Sequence, residues 1–282
     1  MDIFFNFVKS ILFGIVEGIT EWLPISSTGH IILLDEFVKL DCSPAFFDVF
    51  EVVVQLGAIL AVVVLFFGKL NPLAKSKSLD EQKGTWQLWL KILIATVPAA
   101  VAGLVLDDIM DMYLYNAWVV AIALIAYGVA YIFFERRYNA RNEQFKINSV
   151  EDITYKDAVR IGCFQMLALV PGTSRSGSTI LGAMLCKTKR EVAAEFSFFM
   201  AIPVMLGASG LKLFKFLLDG NVMSGQEVGI LLVASVVAFV VSMLTIKMLM
   251  AFVKKHSFEF FGIYRIVLGF IVLAYFAIKL LV

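Results

Sequence analysis

Charge is scarce in this sequence, and so are the two side chains that most often hold transition metals. Only 17% of the 282 residues are charged, against roughly 25% in soluble domains. Basic and acidic residues nearly cancel, leaving a formal net charge of +1. That balance offers nothing in favour of nucleic-acid binding or a peripheral basic anchor, and the few charges must be read by position. There are two histidines and three cysteines. Cys42, Cys163 and Cys186 lack C-x-x-C spacing and two lie in apolar stretches, so they read as small hydrophobes rather than as a disulfide or metal framework. The amino terminus carries no basic segment before its first apolar stretch and no small-residue cleavage site, and no removable signal peptide is expected.

Hydrocarbon takes the place of charge. With 60% hydrophobic residues and 26 Phe, the mean hydropathy is +0.88, and several uncharged runs are too long for a soluble core. The chain reads as an all-α polytopic membrane protein. A hydrocarbon layer of about 30 Å takes roughly 20 helical residues. Runs 47–68, 87–106, 116–134, 228–246 and 259–278 meet or nearly meet that length, and 192–218 does so if Glu195 and Pro203 are tolerated. Two other apolar pieces, HIILLDEFV and SGSTILGAMLC, are too short to cross alone. Each follows a proline-containing polar break, so each is expected to be the return arm of a re-entrant helical hairpin. Residues 3–22 nearly span by themselves, so the first hairpin should reach deep.

Seventeen of the 24 basic residues fall in four segments, 69–91, 135–160, 187–190 and 247–256, which are expected in the cytoplasm. The opposite connections hold Asp35, Glu36, Asp41 and Asp48, then Asp107, Asp108 and Asp111, then Asp219 and Glu227. Six transmembrane helices plus two re-entrant hairpins alternate between these sides with both termini outside.

A repeat underlies the pattern. GIVEGITEWLPISSTGH from Gly14 aligns with GCFQMLALVPGTSRSGS from Gly162, matching Glu17 to Gln165 at a spacing of about 148 residues. Residues 1–282 are read as a single membrane domain: a first half over 1–140, a cytoplasmic connector over 141–157 and a second half over 158–282. Three crossings per half invert the second half, so the two broken hairpin tips should meet near the midplane.

Those tips carry the chemistry. Glu17 and Glu21 share one face of the first helix, which should end near Leu23 ahead of Pro24. Two carboxylates about 6 Å apart repel by roughly 3 kcal/mol at an effective dielectric of 20, and each opposes insertion by about 3 kcal/mol. The pair therefore needs a cation, a shared proton or water. PISSTGH adds hydroxyls and the imidazole of His30, able to offer donors to an anion. PGTSRSGST sets Arg175 among Ser174, Ser176, Ser178 and Thr179, with glycines and a helix start suited to phosphate oxygens. It is not a Walker A sequence.

EGITEWLPISSTGH and PGTSRSGST resemble the two signature regions of the bacterial undecaprenyl pyrophosphate phosphatase family of the bacitracin-resistance type. The similarity continues through FEVVVQLGAILAVV and AAEFSFFMAIPVMLGA. It implies an inverted-repeat, multi-pass enzyme of the bacterial plasma (inner) membrane, with its site open to the outer side. The expected reaction removes the terminal phosphate of undecaprenyl pyrophosphate and regenerates the monophosphate carrier for cell-wall synthesis. The resemblance also implies a divalent cation such as Mg2+ at Glu17 and Glu21, with no organic cofactor. A polyprenyl pyrophosphate and membrane lipids are the expected partners; nucleic acid is not, and a homodimer is left open.

Roles follow from the same resemblance. Arg175 would clamp the pyrophosphate and neutralise its equatorial charge. Ser27, with His30 as the second candidate, would attack the terminal phosphorus. Glu21 would act as base or metal ligand, and Glu17 would support it or bind the cation. Ser26, Thr28, Ser174, Ser176 and Thr179 would hold phosphate oxygens.

Plainer readings stand for other residues. Ser209, Ser235 and Ser242 are expected to bond backbone or join helices, and Gly57, Gly103, Gly207 and Gly269 to mark close packing. Trp22, Trp86, Trp89 and Trp118 read as interfacial anchors, with a side role for Trp22 beside Glu21. Arg265 is expected at the cytoplasmic boundary and His256 in a solvated loop, while Glu51 and Glu195 divide evenly between structure and function. On architecture alone, a secondary transporter or flippase for a polyprenyl phosphate or another anion would be preferred. The convergence of paired Glu, Ser-Ser-Thr, His and Ser-Arg-Ser favours hydrolysis.

Overall fold

The structure, a computed structural model, describes residues 2–114, 116–140 and 145–281, and for residues 2, 107–109, 111 and 139–140 it describes the backbone alone. The acidic positions 107, 108 and 111 and the first residues of the connector therefore lie outside what is described.

Helices dominate, and no named strand occurs among the described residues. In chain order they are α1 (Asp2–Thr20), α2 (Ser27–Phe37), α3 (Pro44–Val53), α4 (Gln55–Leu65), the single turn α5 (Phe67–Leu70), α6 (Leu79–Tyr113) and α7 (Ala117–Ala140). The second part contains α8 (Tyr155–Gln165), the 3-10 turn Met166–Leu169, α9 (Arg175–Leu185), α10 (Arg190–Leu218), α11 (Gly225–Val253) and α12 (Glu259–Leu281). Serine or threonine caps start six of the described α-helices, α2, α3, α6, α8, α9 and α11. Ser78, Thr154 and Ser224 each form a reciprocal capping box with an acidic residue three positions on, satisfying two otherwise orphaned backbone donors at each start.

Among the described residues, seven helical segments are long and apolar enough to cross a membrane: α1, α3 with α4 taken together, α6, α7, α10, α11 and α12. Six coincide with the runs seen in the sequence. The seventh, α1, belongs to the deep first hairpin, and at 19 residues it reaches spanning length. Its counterpart α8 has only 11. The run 47–68 is interrupted at Val54, between α3 and α4. The outer faces agree with a lipid solvent. On α11, Val236, Leu244 and Met248 are 61%, 60% and 72% exposed, an apolar surface that water would penalise and a bilayer accepts.

Packing pairs the two parts of the chain crosswise. α1 lies along α11, α8 lies along α6, and α7 packs against α12. Glycine makes the first two approaches: a Cβ on Gly14 would fall 2.5 Å from the Ala234 carbonyl oxygen, and one on Gly162 would fall 2.2 Å from that of Ala95. Gly57 against Ser235 and Gly269 against Ala121 are close contacts as expected, whereas Gly207 faces open space and Gly103 meets only Leu169, at 3.5 Å. These last two line a cavity instead.

Several side chains are elsewhere than composition suggests. Trp22 is fully buried, edge-on to Phe198, because the loop after α1 folds inward rather than out to the interface. Trp89 is half-buried and donates to the Leu70 carbonyl. Trp86 and Trp118 are exposed, as anchors would be. Arg265 is fully buried rather than at a boundary, and Glu195 pairs with Lys69 at 2.6 Å. Ser209 and Ser242 join helices through the carbonyls of Val52 and Gly18. His256 is exposed and stacks on Phe252.

Candidate active site between two helical hairpins

Two helical hairpins, α1 with α2 and α8 with α9, bring their polar turns together. Each turn ends in a serine that caps the following helix in the left-handed region, Ser26 at φ 76° and Ser174 at φ 77°. Ser26 Oγ accepts from Gly29 N–H and Ser174 Oγ from Gly177 N–H. A non-glycine residue held there costs on the order of 1–3 kcal/mol and persists only where its surroundings enforce it. The result is that Ser27 and Arg175 occupy matching first positions of two helices whose positive N-terminal ends frame one space.

Glu21 is the centre of the constellation. Ser27 Oγ donates to Glu21 Oε2 at 2.5 Å. Arg175 Nη2 and Nε donate to Glu21 Oε1 at 3.0 and 3.4 Å, while Nη1 donates to the Ser197 carbonyl at 2.8 Å. The guanidinium also lies 6.0 Å from the centre of the Trp22 ring. The two hairpins are thus joined by a nearly buried ion pair, costly to desolvate and strong once made.

A second cation locks the turns from below. Arg265 of α12 donates from Nη1 to the Pro24 carbonyl at 3.0 Å and from Nη2 to those of Gly172 and Thr173 at 2.7 and 2.8 Å. Tyr131 of α7 donates its hydroxyl to the Gly177 carbonyl. Backbone carbonyls of irregular turns have no helix partner, so in a low-dielectric interior a guanidinium is well suited to satisfy several at once.

A cavity of about 540 Å³ opens beside the pair. Glu21, Ser26, Ser27, Thr28, Ser174, Arg175 and Gln165 give it one polar end. Ala99, Ala100, Gly103 and Leu104 of α6 face Pro203, Val204, Gly207 and Ala208 of α10 along the rest. It adjoins a vestibule lined by Asp48, Glu51, Lys212 and Lys215, with Thr28, Gly103 and Leu211 among the residues common to both.

Of the residues expected from sequence, Glu21, Ser26, Ser27, Thr28, Ser174 and Arg175 share this cavity. The others stand behind it. Glu17 is 1% exposed and its Oε1 has no protein partner. Ser176 Oγ is placed 3.1 and 3.2 Å from the Glu21 and Leu23 carbonyls, stitching one turn to the other. Thr179 Oγ1 lies 2.6 Å from Ser197 Oγ, on the residue whose carbonyl receives Arg175. His30 lines neither cavity. Its Nδ1 is 2.7 Å from the Ser26 carbonyl and its Nε2 is 2.8 Å from the Tyr264 hydroxyl. A carbonyl can only accept, so Nδ1 carries the proton and the neutral ring's Nε2 accepts from Tyr264.

Sequence reasoning gave no site role to Arg265, which it expected at a boundary, or to Gln165, which it used only to align the repeat, and it did not mention Tyr131 or Ser197. A lone arginine within an apolar helix was the available signal for the first, and an intramembrane cation points to function by default. Gln165 is 2% exposed and both of its amide atoms lack a protein partner, a cost of about 1–3 kcal/mol for each unsatisfied group. Among the described residues no group of three or more His, Cys, Asp or Glu could hold a metal. The orphaned Glu17 oxygen beside Glu21 does fit a magnesium-like ion, which commonly uses one or two carboxylates and completes its shell with water and substrate phosphate.

Comparison with known proteins adds to this geometry. Residues 10–271 match the family described as Bacitracin resistance protein BacA. Among curated proteins, the chain is similar to one of Enterococcus faecalis named undecaprenyl-diphosphatase, 55% identical over 97% of this chain and 98% of the relative. One of Lactococcus lactis subsp. lactis with the same name is 55% identical over 96% and 97%. A third, of Streptococcus mutans, is 51% identical over 99% of each chain.

Proposed function

Because the chain belongs to the BacA family of bacitracin resistance proteins, we propose that it hydrolyses undecaprenyl diphosphate to the monophosphate and inorganic phosphate, as its relatives' name describes. One observation carries the reading to particular atoms: Ser27 Oγ donates to Glu21 Oε2 at 2.5 Å while Arg175 holds the other oxygen of the same carboxylate. A hydroxyl, its base and an anion-binding cation on one cavity wall form the minimal set for phosphoryl transfer.

The diphosphate occupies the polar end, with its terminal phosphorus at Ser27 Oγ. As Ser27 Oγ bonds to that phosphorus, its proton passes to Glu21 and the bond to the bridging oxygen breaks, so the prenyl monophosphate leaves with the bridging electron pair. Glu21 passes that proton to the departing prenyl monophosphate and is a carboxylate again. Water then attacks the phosphoserine with Glu21 as base, and the proton taken from water is returned to Ser27 Oγ as its bond to phosphorus breaks and inorganic phosphate leaves. Arg175 and the amino-terminal ends of α2 and α9 neutralise charge on the equatorial oxygens. A divalent cation held by Glu17 and Glu21 would supply further charge neutralisation on the phosphate. The prenyl tail lies between α6 and α10, where Gly103 and Gly207 carry no side chain.

The same reading places the site at the outer face of the plasma membrane, where recycling of the carrier serves cell-wall synthesis. Its support is the vestibule, which opens among Asp48, Glu51 and Val52 of α3, the end of α6 and the end of α10, away from the four lysine- and arginine-rich segments. The two halves are read as an inverted repeat. In support, Gly14 and Gly162 make equivalent backbone approaches, and Ser26 and Ser174 make equivalent caps.

The test is release of inorganic phosphate from undecaprenyl diphosphate by the purified chain in detergent, set beside lipid flipping in liposomes. Phosphate release lost in Glu21→Gln supports the assignment. Flipping without any phosphate release would return the chain to the transporter class.

A further inference from the structure

Gln165 is a buried polar position in the catalytic cavity that the reaction above leaves without work. It is 2% exposed and lines the cavity. Among the described residues it is the buried cavity-lining side chain whose polar atoms have no protein partner: Nε2 and Oε1 are both unsatisfied. Four hydroxyls there are engaged, Ser27 with Glu21, Ser26 and Ser174 with helix caps, and Thr96 with the Ile92 carbonyl. Native interiors leave few polar groups unpaired, and those at a cavity wall point to a ligand. The primary amide offers two donors and an acceptor without charge, a match for a phosphate group already crowded by carboxylates.

Position says which phosphate. Gly162 brings the α8 backbone against Ala95 of α6, and Gln165 follows one turn later, beside Thr96, Ala99 and Gly103 in the cavity lining. Because α8 packs on α6, the polar end that holds Gln165 adjoins the α6 side of the apolar groove at this junction. In-line displacement puts the leaving oxygen opposite Ser27, hence toward that junction. At the equivalent point of the first hairpin the chain has Glu17, which does not line the cavity. The first hairpin thus keeps its carboxylate behind the cavity wall, and the second presents a neutral amide to the cavity itself.

We propose that Gln165 is a substrate-contacting residue that donates its side-chain amide to the phosphate remaining on the lipid, and so binds both the diphosphate substrate and the prenyl monophosphate product. The inference rests on the diphosphatase reading. Gln165 fixes the leaving group on the in-line axis and takes no proton in the reaction.

The experiment compares the full chain with Gln165→Leu and Gln165→Glu in detergent, using a polyprenyl diphosphate as substrate and the prenyl monophosphate and inorganic phosphate as inhibitors. Loss of one hydrogen bond to a charged group corresponds to roughly tenfold or more. Gln165→Leu should raise KM by about that factor and weaken monophosphate inhibition equally, with inorganic phosphate inhibition unchanged. Gln165→Glu should be worse, because it adds like charge. Leu removes two unsatisfied buried atoms, so its melting temperature without ligand should equal or exceed wild type, while the stabilisation given by prenyl monophosphate should fall. An unfolded or less stable Leu variant would make Gln165 structural and overturn the proposal. Unchanged KM and monophosphate inhibition, or equal loss of both inhibitors, would overturn it too. A wild-type chain that releases no phosphate contradicts the diphosphatase reading instead, and the monophosphate melting shift then still decides whether Gln165 contacts a lipid phosphate.

Discussion

Arg175 Nη2 lies 3.0 Å from Glu21 Oε1 across 154 positions of sequence, so the base and the anion clamp of the proposed reaction hold each other in place before substrate arrives. Removing either partner should act twice, on chemistry and on geometry. Glu21→Gln should lower kcat by about 10²–10⁴-fold, the usual contribution of a positioned general base. Arg175→Lys retains charge without the planar fork and should also lose most activity, measured as phosphate release at saturating substrate.

The nucleophile is decided by trapping. Rapid acid quench with substrate labelled in the terminal phosphate should leave label on Ser27, and Ser27→Ala should abolish it along with turnover. His30→Gln should retain label on Ser27, because His30 acts through Ser26 and Tyr264 rather than within the cavity. Label on neither residue, with turnover intact in both variants, would mean direct attack by water.

Arg265 connects both turns, so its loss should be felt by both. Arg265→Met leaves the carbonyls of Pro24, Gly172 and Thr173 without this donor, at about 1–3 kcal/mol for each group left unsatisfied. The expected result is a clearly lower melting temperature in detergent, together with weakened activity. A variant as stable as wild type would show that the turns hold their shape without the guanidinium.

Gly207 offers a test of the tail path, since a Cβ there meets nothing within 4 Å. Gly207→Leu should fold normally and raise KM for the long undecaprenyl substrate by tenfold or more, the range typical when one bulky side chain occludes an apolar site. A short-chain prenyl diphosphate should be affected far less. Equal effects on long and short chains would place the tail elsewhere.

Gly162 behaves in the opposite way. Gly162→Ala forces α8 away from Ala95, an overpacking cost of about 1–3 kcal/mol, and should lower stability and activity together. Gly84→Ala, with no atom within 4 Å of its added Cβ, should be silent in the same assays.

Much of the molecule was legible in composition because membrane residence is a local property. A helix crosses only if its own residues satisfy the length and polarity of the bilayer, and α7, α11 and α12 announce themselves by that rule. Both hairpins were visible for a similar reason: short apolar arms after a proline break cannot span. Positions such as Trp22, Arg265 and Gly207 were read amiss because their local windows look ordinary. An arginine next to aromatics near a helix start suits a boundary, and a glycine in a helix suits close packing, until the neighbouring element is known.

The sequence by itself determined the solvent, the helical class and the inventory of reactive groups, since each depends on which residues are adjacent in the chain. Only the tertiary structure decided that Glu21, Ser27 and Arg175 face one cavity while Glu17, His30, Ser176 and Thr179 stand behind it. That division depends on helix approaches between distant segments, α1 on α11 and α8 on α6, and on the serine caps that turn two loops toward each other. No short window of sequence contains such contacts, because their energy belongs to pairs of residues that meet only when the fold is complete.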